Sequence, residues 1–168
     1  MHPSEDEPDP TARTNEVTVM LVSPNAHAVR PGEGPIANMG AVQMRLLAGC
    51  LDSDSAFALA EFSGAAAGAW TVPHRHQVTQ ESFYVLDGEF TFMVGEETIE
   101  AGPGSYLLVP VGAWHVLHAG EGGGRLLTLM VPGGLEAMFF ELAQLPPGGL
   151  TDPAVRAEVA ARYDSKPA

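Results

Sequence analysis

An all-β barrel or sandwich ending in a short helical tail is the fold class this chain predicts, on three observations. Short apolar segments of alternating polarity recur at roughly ten-residue spacing. The 19 glycines and 14 prolines fall largely between those segments without a collagen-like period, which marks turns rather than long helices. After Gly134 the apolar period changes from that of a strand to that of a helix. At 168 residues and 17.7 kDa, the chain is the size of one domain with a real core.

Residues 1–16, MHPSEDEPDPTARTNE, are acidic, proline-bearing and poor in large apolar groups, and are read as a disordered arm. The stretch is neither apolar nor basic, so it is not read as a secretory signal or transit peptide; a soluble cytoplasmic protein is expected. EVTVMLVS, residues 16–23, reads as a first strand, and the glycines and prolines of residues 24–40 read as a loop that covers an opening in the fold. Residues 42–47 and 56–62 are expected to pair as antiparallel strands, with Glu61 facing solvent or ending its strand. Asp87-Gly88 reads as a tight turn. Phe90, Phe92 and Val94 alternate onto one face of a hairpin that returns through residues 97–100. Residues 101–120 supply two more strands around Pro110–Gly112, and residues 124–131 another. Leu135, Met138, Phe139 and Leu142 then fall at helical spacing. A second helix starts at Asp152-Pro153, with Asp as its cap and Pro at its first position. The expected division is an arm over 1–16, a barrel over 17–133, and helices over 134–168 that pack on it.

The formal charge of −13, with only eight basic residues scattered along the chain, excludes a nucleic-acid or anionic-membrane partner, since phosphate-binding surfaces need clustered Lys and Arg. The single cysteine, Cys50, excludes an internal disulfide framework. It follows an apolar run with no histidine nearby in sequence and reads as a buried free thiol.

The chemistry concentrates in PHRHQVTQE, residues 73–81. On an extended strand His74 and His76 share one face, and a turn through residues 77–80 resets the phase so that Glu81 can join them. Imidazoles with one carboxylate suit a divalent transition ion rather than Ca or Mg. The best fourth ligand is His115, which follows the turn Pro110-Val111-Gly112. His118, three residues on, points to the opposite face of a regular strand and ranks as an outward or supporting residue. His2 and His27 sit in the arm and a loop, where an ordinary solvated histidine is the simpler reading.

These residues resemble the cupin superfamily. Gly68, His74, His76, Glu81 and Gly88 fit the first motif of that family, and Gly104, Pro110, Gly112 and His115 fit the second, with Ala119 where the family has Asn. The phrases ESFYVLDGEFTFMVG and PGGLEAMFFELA resemble the single-domain branch that includes bacterial quercetin dioxygenase-like proteins. The resemblance implies a small double-stranded β-helix barrel, a homodimer, and one divalent transition metal ion (Fe, Ni, Mn, Co, Cu or Zn) held by His74, His76, Glu81 and His115. It implies a small-molecule substrate and, first, a metal-dependent dioxygenase acting on an enol or phenol such as a flavonol. Glu81 would then be both ligand and catalytic base, and Phe83, Phe92, Met93, Val109 and Leu117 would be candidates for the pocket wall. The alternatives are a non-redox cyclase, isomerase or lyase, which zinc would favour, and a non-catalytic small-molecule-binding cupin.

Overall fold

A computed structural model describes residues 26–146 and 148–167. The arm and the strand expected over residues 16–23 lie outside the described residues. The strands are β1 (Ile36–Met39), β2 (Val42–Ala48), β3 (Ala58–Gly64), β4 (Gly68–Ala69), β5 (His74–Arg75), β6 (Gln80–Val94), β7 (Glu97–Ala101), β8 (Tyr106–Val109), β9 (His115–Val131) and β10 (Lys166–Pro167). Two helices, α1 (Glu136–Leu142) and α2 (Pro153–Ala160), lie between β9 and β10.

The architecture is an all-β barrel with a short helical tail, organised by β6 and β9. These two long strands run antiparallel along their whole lengths, residues 80–87 against 125–131 and residues 90–94 against 115–119. The first pairing carries β3 beside β9 and β8 beside β6; the second carries β4 and β5 beside β9 and β7 beside β6. The same two strands therefore serve both leaves of the barrel and turn the corner between them, as strands do when a bulge lets them change sheets.

That corner is where the structure departs from expectation. Asp87-Gly88 is no turn: β6 runs straight through it, and the pairing slips there at Val85/Asp87 and Gly88/Phe90. Gly88 has φ +82°, and a Cβ on it would lie 2.3 Å from the carbonyl oxygen of Gly123. A positive φ serves a turn and a bulge alike, and here it bends a continuous strand against its neighbour. Residues 115–119 and 124–131, expected as separate strands, likewise merge into β9.

The core lies between the leaves and is built from Met44, Val85, Phe90, Phe92, Leu126 and Met130, all almost fully buried. The predicted helical stripe also points into it. Leu135, Met138 and Leu142 are buried, and Phe139 packs edge-on against Phe62 of β3 with centroids 5.0 Å apart. The cap expected at Asp152 is present, its side chain accepting from Ala154 N–H at 2.9 Å. Among the described residues no helix is long and apolar enough to cross a membrane.

Buried Glu136 fastens the tail to the barrel: its two carboxylate oxygens accept from Cys50 N–H at 2.7 Å and Gly134 N–H at 2.6 Å. Cys50 beside it is half-buried rather than buried. Burial and a hydrogen bond with Glu136 push its thiol up, away from the thiolate a nucleophile needs. Glu136→Ala strands both amides, and a loss of about 1–3 kcal/mol is expected in a urea unfolding titration.

Candidate metal centre

Four side chains converge at one end of the barrel. His74 on β5 stands opposite His115 on β9 in the strand register, and their rings lie 4.1 Å apart. His76 follows β5 directly, its ring 4.9 Å from that of His74. The chain then makes a short excursion over residues 77–79 and enters β6, where Glu81 points inward. One potential ligand atom from each of His74, His76, Glu81 and His115 lies within 4.8 Å of all the others. His76, Glu81 and His115 are buried at 3%, 5% and 4% exposure, and His74 is half-buried.

The hydrogen bonds behind the rings decide what this cluster suits. In each histidine Nδ1 faces a main-chain carbonyl: His74 that of Val72 at 2.8 Å, His115 that of Ala113 at 3.1 Å, and His76 that of Asp164. A carbonyl only accepts, so each Nδ1 carries the proton and each neutral ring turns a bare Nε2 lone pair inward. Yet Nε2 of His76 and of His115 both lie 3.1 Å from one oxygen of Glu81. Lone pairs facing a carboxylate need a cation between them, either a proton on a ring or a metal ion. Main-chain carbonyls holding ligand imidazoles by the far nitrogen are what metal sites use to fix the tautomer. The donor set fits one divalent ion.

Without an ion, protons on the rings take its place. Burial would push Glu81 up, but hydrogen bonds from His115 and His76 outweigh it and hold the carboxyl well below the usual range. Burial, with His115 close by, lowers His74 to about 4, so it stays neutral with its lone pair available. Burial also acts to lower His76, but the hydrogen bond to Glu81 overrides this and raises it.

The cluster forms part of the wall of a cavity of about 740 Å³, within the usual range for small-molecule sites. Phe62, Phe83, Leu117, Leu126 and Phe139 supply apolar wall, and Leu150, Arg156 and Ala160 close it from the tail.

Residues 63–132 match the family model for a cupin domain. The chain carries a cupin domain over that stretch. Among curated proteins it is similar to quercetin 2,3-dioxygenase of Bacillus subtilis (strain 168), at 27% identity over 135 residues. That match covers 80% of this chain but only 40% of the relative. Among solved structures it resembles KdgF from Halomonas sp. (TM-score 0.58, 18% identity, 67% of this chain and 99% of that one). It also resembles the Streptomyces nucleoside dehydratase Pac13 (TM-score 0.55, 13% identity, 67% of this chain and 88% of that one). At such identities these structures speak for the fold alone.

The four candidate ligands stand together, and the other candidates stand apart. His118 lies on β9 outside the cluster. His27 is not merely solvated: its ring bonds the carbonyl of Leu47 at 2.6 Å and lies 3.3 Å from Asp52. Glu61 does not face solvent but bridges Arg45 at 2.7 Å and Arg125 at 3.6 Å. Of the expected wall residues, Phe83 and Leu117 line the cavity. Phe92 and Val109 are buried in the core and Met93 is an exposed position on the other face of β6. The described part of the loop at 24–40 contains β1, and only Met39 of its residues lines the cavity.

Three residues escaped the sequence reading. Asp164, besides its carbonyl bond to His76, accepts on its carboxylate from the amides of Gln77 (2.8 Å), Val78 (2.8 Å) and Thr79 (2.6 Å). Burial pushes its carboxyl up, but these amides hold it below its ordinary value. Thr128 is 2% exposed, lines the cavity, and its hydroxyl has no partner among the described residues. A lone Thr at an inward position of the apolar run Leu126–Met130 was a legible signal for it. Arg156 lines the cavity from α2; its place three residues before buried Val159 sets it beside the apolar face of that helix.

Proposed function

We propose that this cupin is a metal-dependent dioxygenase acting on an enol or phenol of a flat, largely apolar molecule. One observation carries the reading: three inward Nε2 lone pairs and one buried carboxylate meet on the wall of a mostly apolar cavity. The similarity to quercetin 2,3-dioxygenase supports the reaction class. A divalent ion held by His74, His76, Glu81 and His115 would supply a position for the substrate oxygen and, if redox-active, a route for electrons between substrate and O2.

The rest falls to this chain's own side chains. Phe83 lies two residues from Glu81 on the same face of β6 and, with Phe62 and Leu126, holds the ring and keeps water out. Glu81 takes the hydroxyl proton of the substrate. Held in the cluster its charged form is favoured, so there it is a weak base. Once it turns from the histidines to the substrate, burial acts unopposed, its proton affinity rises, and it becomes the stronger base the step needs.

The test is oxygen uptake by the purified protein with quercetin, in parallel with anaerobic incubation. Substrate-dependent uptake, with no substrate loss without oxygen, is expected. Equal loss in both vessels, or a native zinc ion, would instead favour Lewis-acid chemistry on a carbonyl. Glu81→Gln is expected to lower kcat by about 10²–10⁴-fold through loss of the base, with a smaller effect on KM.

A further inference from the structure

Among the described residues, Arg156 is the one charged residue that lines the cavity apart from the metal cluster. It is half-buried, and no acidic group lies within ion-pair distance of it among the described residues. Each of the other described arginines of this acidic chain except Arg75 has an acidic partner, and Arg75 has an aromatic one. Arg45 and Arg125 share Glu61, Arg30 meets Glu33, Arg162 meets Glu141, and Arg75 lies 4.8 Å over the ring of Trp114.

The nearby acids of the tail are engaged elsewhere. Asp152 caps its own helix through Ala154 N–H, Glu141 accepts from Arg162 and the Tyr163 hydroxyl, and Asp164 is surrounded by three amides. Glu158 is exposed and stands two residues on, a spacing that does not place side chains together on a helix. A guanidinium at an apolar wall without a carboxylate is a site awaiting an anion, because its planar fork of donors matches a carboxylate in two parallel hydrogen bonds.

We propose that Arg156 binds a carboxylate on the substrate, so that this cupin takes an aromatic enol or phenol acid rather than a neutral ring. This rests on the cavity being the substrate site. The metal cluster receives the hydroxyl end, the apolar wall holds the ring, and Arg156 reads the acidic end from α2. The tail thereby sets specificity while the barrel carries the chemistry.

Calorimetric titration of the full chain with 6-hydroxy-2-naphthoate and with 2-naphthol tests this. The two probes share a ring and a phenol and differ in a carboxylate far from the hydroxyl. Zinc-loaded protein, which cannot turn over by electron transfer, is compared with metal-free protein. Wild type is expected to favour the acid by about 10–100-fold, as for a charge-assisted pair. Arg156→Ala should abolish that preference in both metal states with 2-naphthol binding unchanged, and Arg156→Lys should restore part of it. A preference that persists in Arg156→Ala, or equal binding of both probes by wild type, overturns the anion site and leaves the aromatic reading standing. Arg156-dependent binding of the acid with no binding of 2-naphthol upholds the anion site and removes the apolar-ring reading. If neither probe binds, both readings fall.

Discussion

Replacing His76 with alanine is expected to lower metal affinity by two orders of magnitude or more, so that the protein purifies with well under one equivalent. His76 is one of two imidazoles in contact with the same Glu81 oxygen. Its loss takes away one lone pair and leaves the carboxylate with a single facing ring. A three-ligand set at a buried site also admits water where the imidazole stood, and water is a weaker and more exchangeable donor. Elemental analysis of protein purified without a nickel column gives the stoichiometry, and competition with a chromophoric zinc chelator gives the affinity. His118→Ala is the matched control, since that ring stands outside the cluster on the same strand as His115, and it should leave both numbers unchanged. Equal metal in His76→Ala and wild type would remove His76 from the ligand set.

The legibility of this site follows from how each residue reaches it. His74, His76 and Glu81 are brought in by local geometry, a strand followed by a short excursion, and local geometry leaves a spacing in the sequence. His115 arrives through strand pairing with β5, yet its own turn, Pro110 to Gly112, marked it. Asp164 has no such mark. Its carboxylate meets amides 85 to 87 positions away, and nothing local in the tail shows where α2 and β10 will dock. The misread turn at Gly88 has a different cause: glycine at positive φ signals a change of direction but not whether the strand ends or bends. Part of the wall was misread for a third reason. Alternation puts Phe83 and Phe92 on definite faces, but the bulges between them shift the register, and parity cannot be carried across a bulge. Phe83 and Phe92, an odd number of residues apart, therefore both turn inward with their rings 5.1 Å apart, and of the two Phe83 reaches the cavity.

Asp164→Ala is expected to weaken zinc binding by about 10–100-fold, the range found when groups that orient metal ligands are removed. The residue acts at two points on the same loop. Its carboxylate gathers the amides of residues 77–79, the segment that separates His76 from Glu81, and its carbonyl holds Nδ1 of His76. The variant keeps the carbonyl but loses what holds it in place, so the loop can relax and the ring of His76 can turn. β10 continues the clamp by pairing Lys166 with Arg75 and Pro167 with His74, which ties the tail to the strand carrying the first candidate ligand. Asp164→Asn should fall between wild type and Ala, because one amide oxygen replaces two carboxylate oxygens. The carboxyl is held below its ordinary value in the fold, so its contribution is full above the unfolded pKa and fades as pH falls through the lower folded one. The deficit of Asp164→Ala should therefore be constant near neutrality. A purely structural role for Asp164 predicts loss of stability without a specific loss of metal, and Glu136→Ala supplies that comparison. Glu136 fastens the same tail to the barrel through Cys50 and Gly134 without touching the metal loop. If the tail served only to stabilise the fold, both variants would bind zinc equally well while folded. If Asp164 positions His76, only its variant loses affinity, and the visible spectrum of a cobalt-substituted sample shifts in that variant alone.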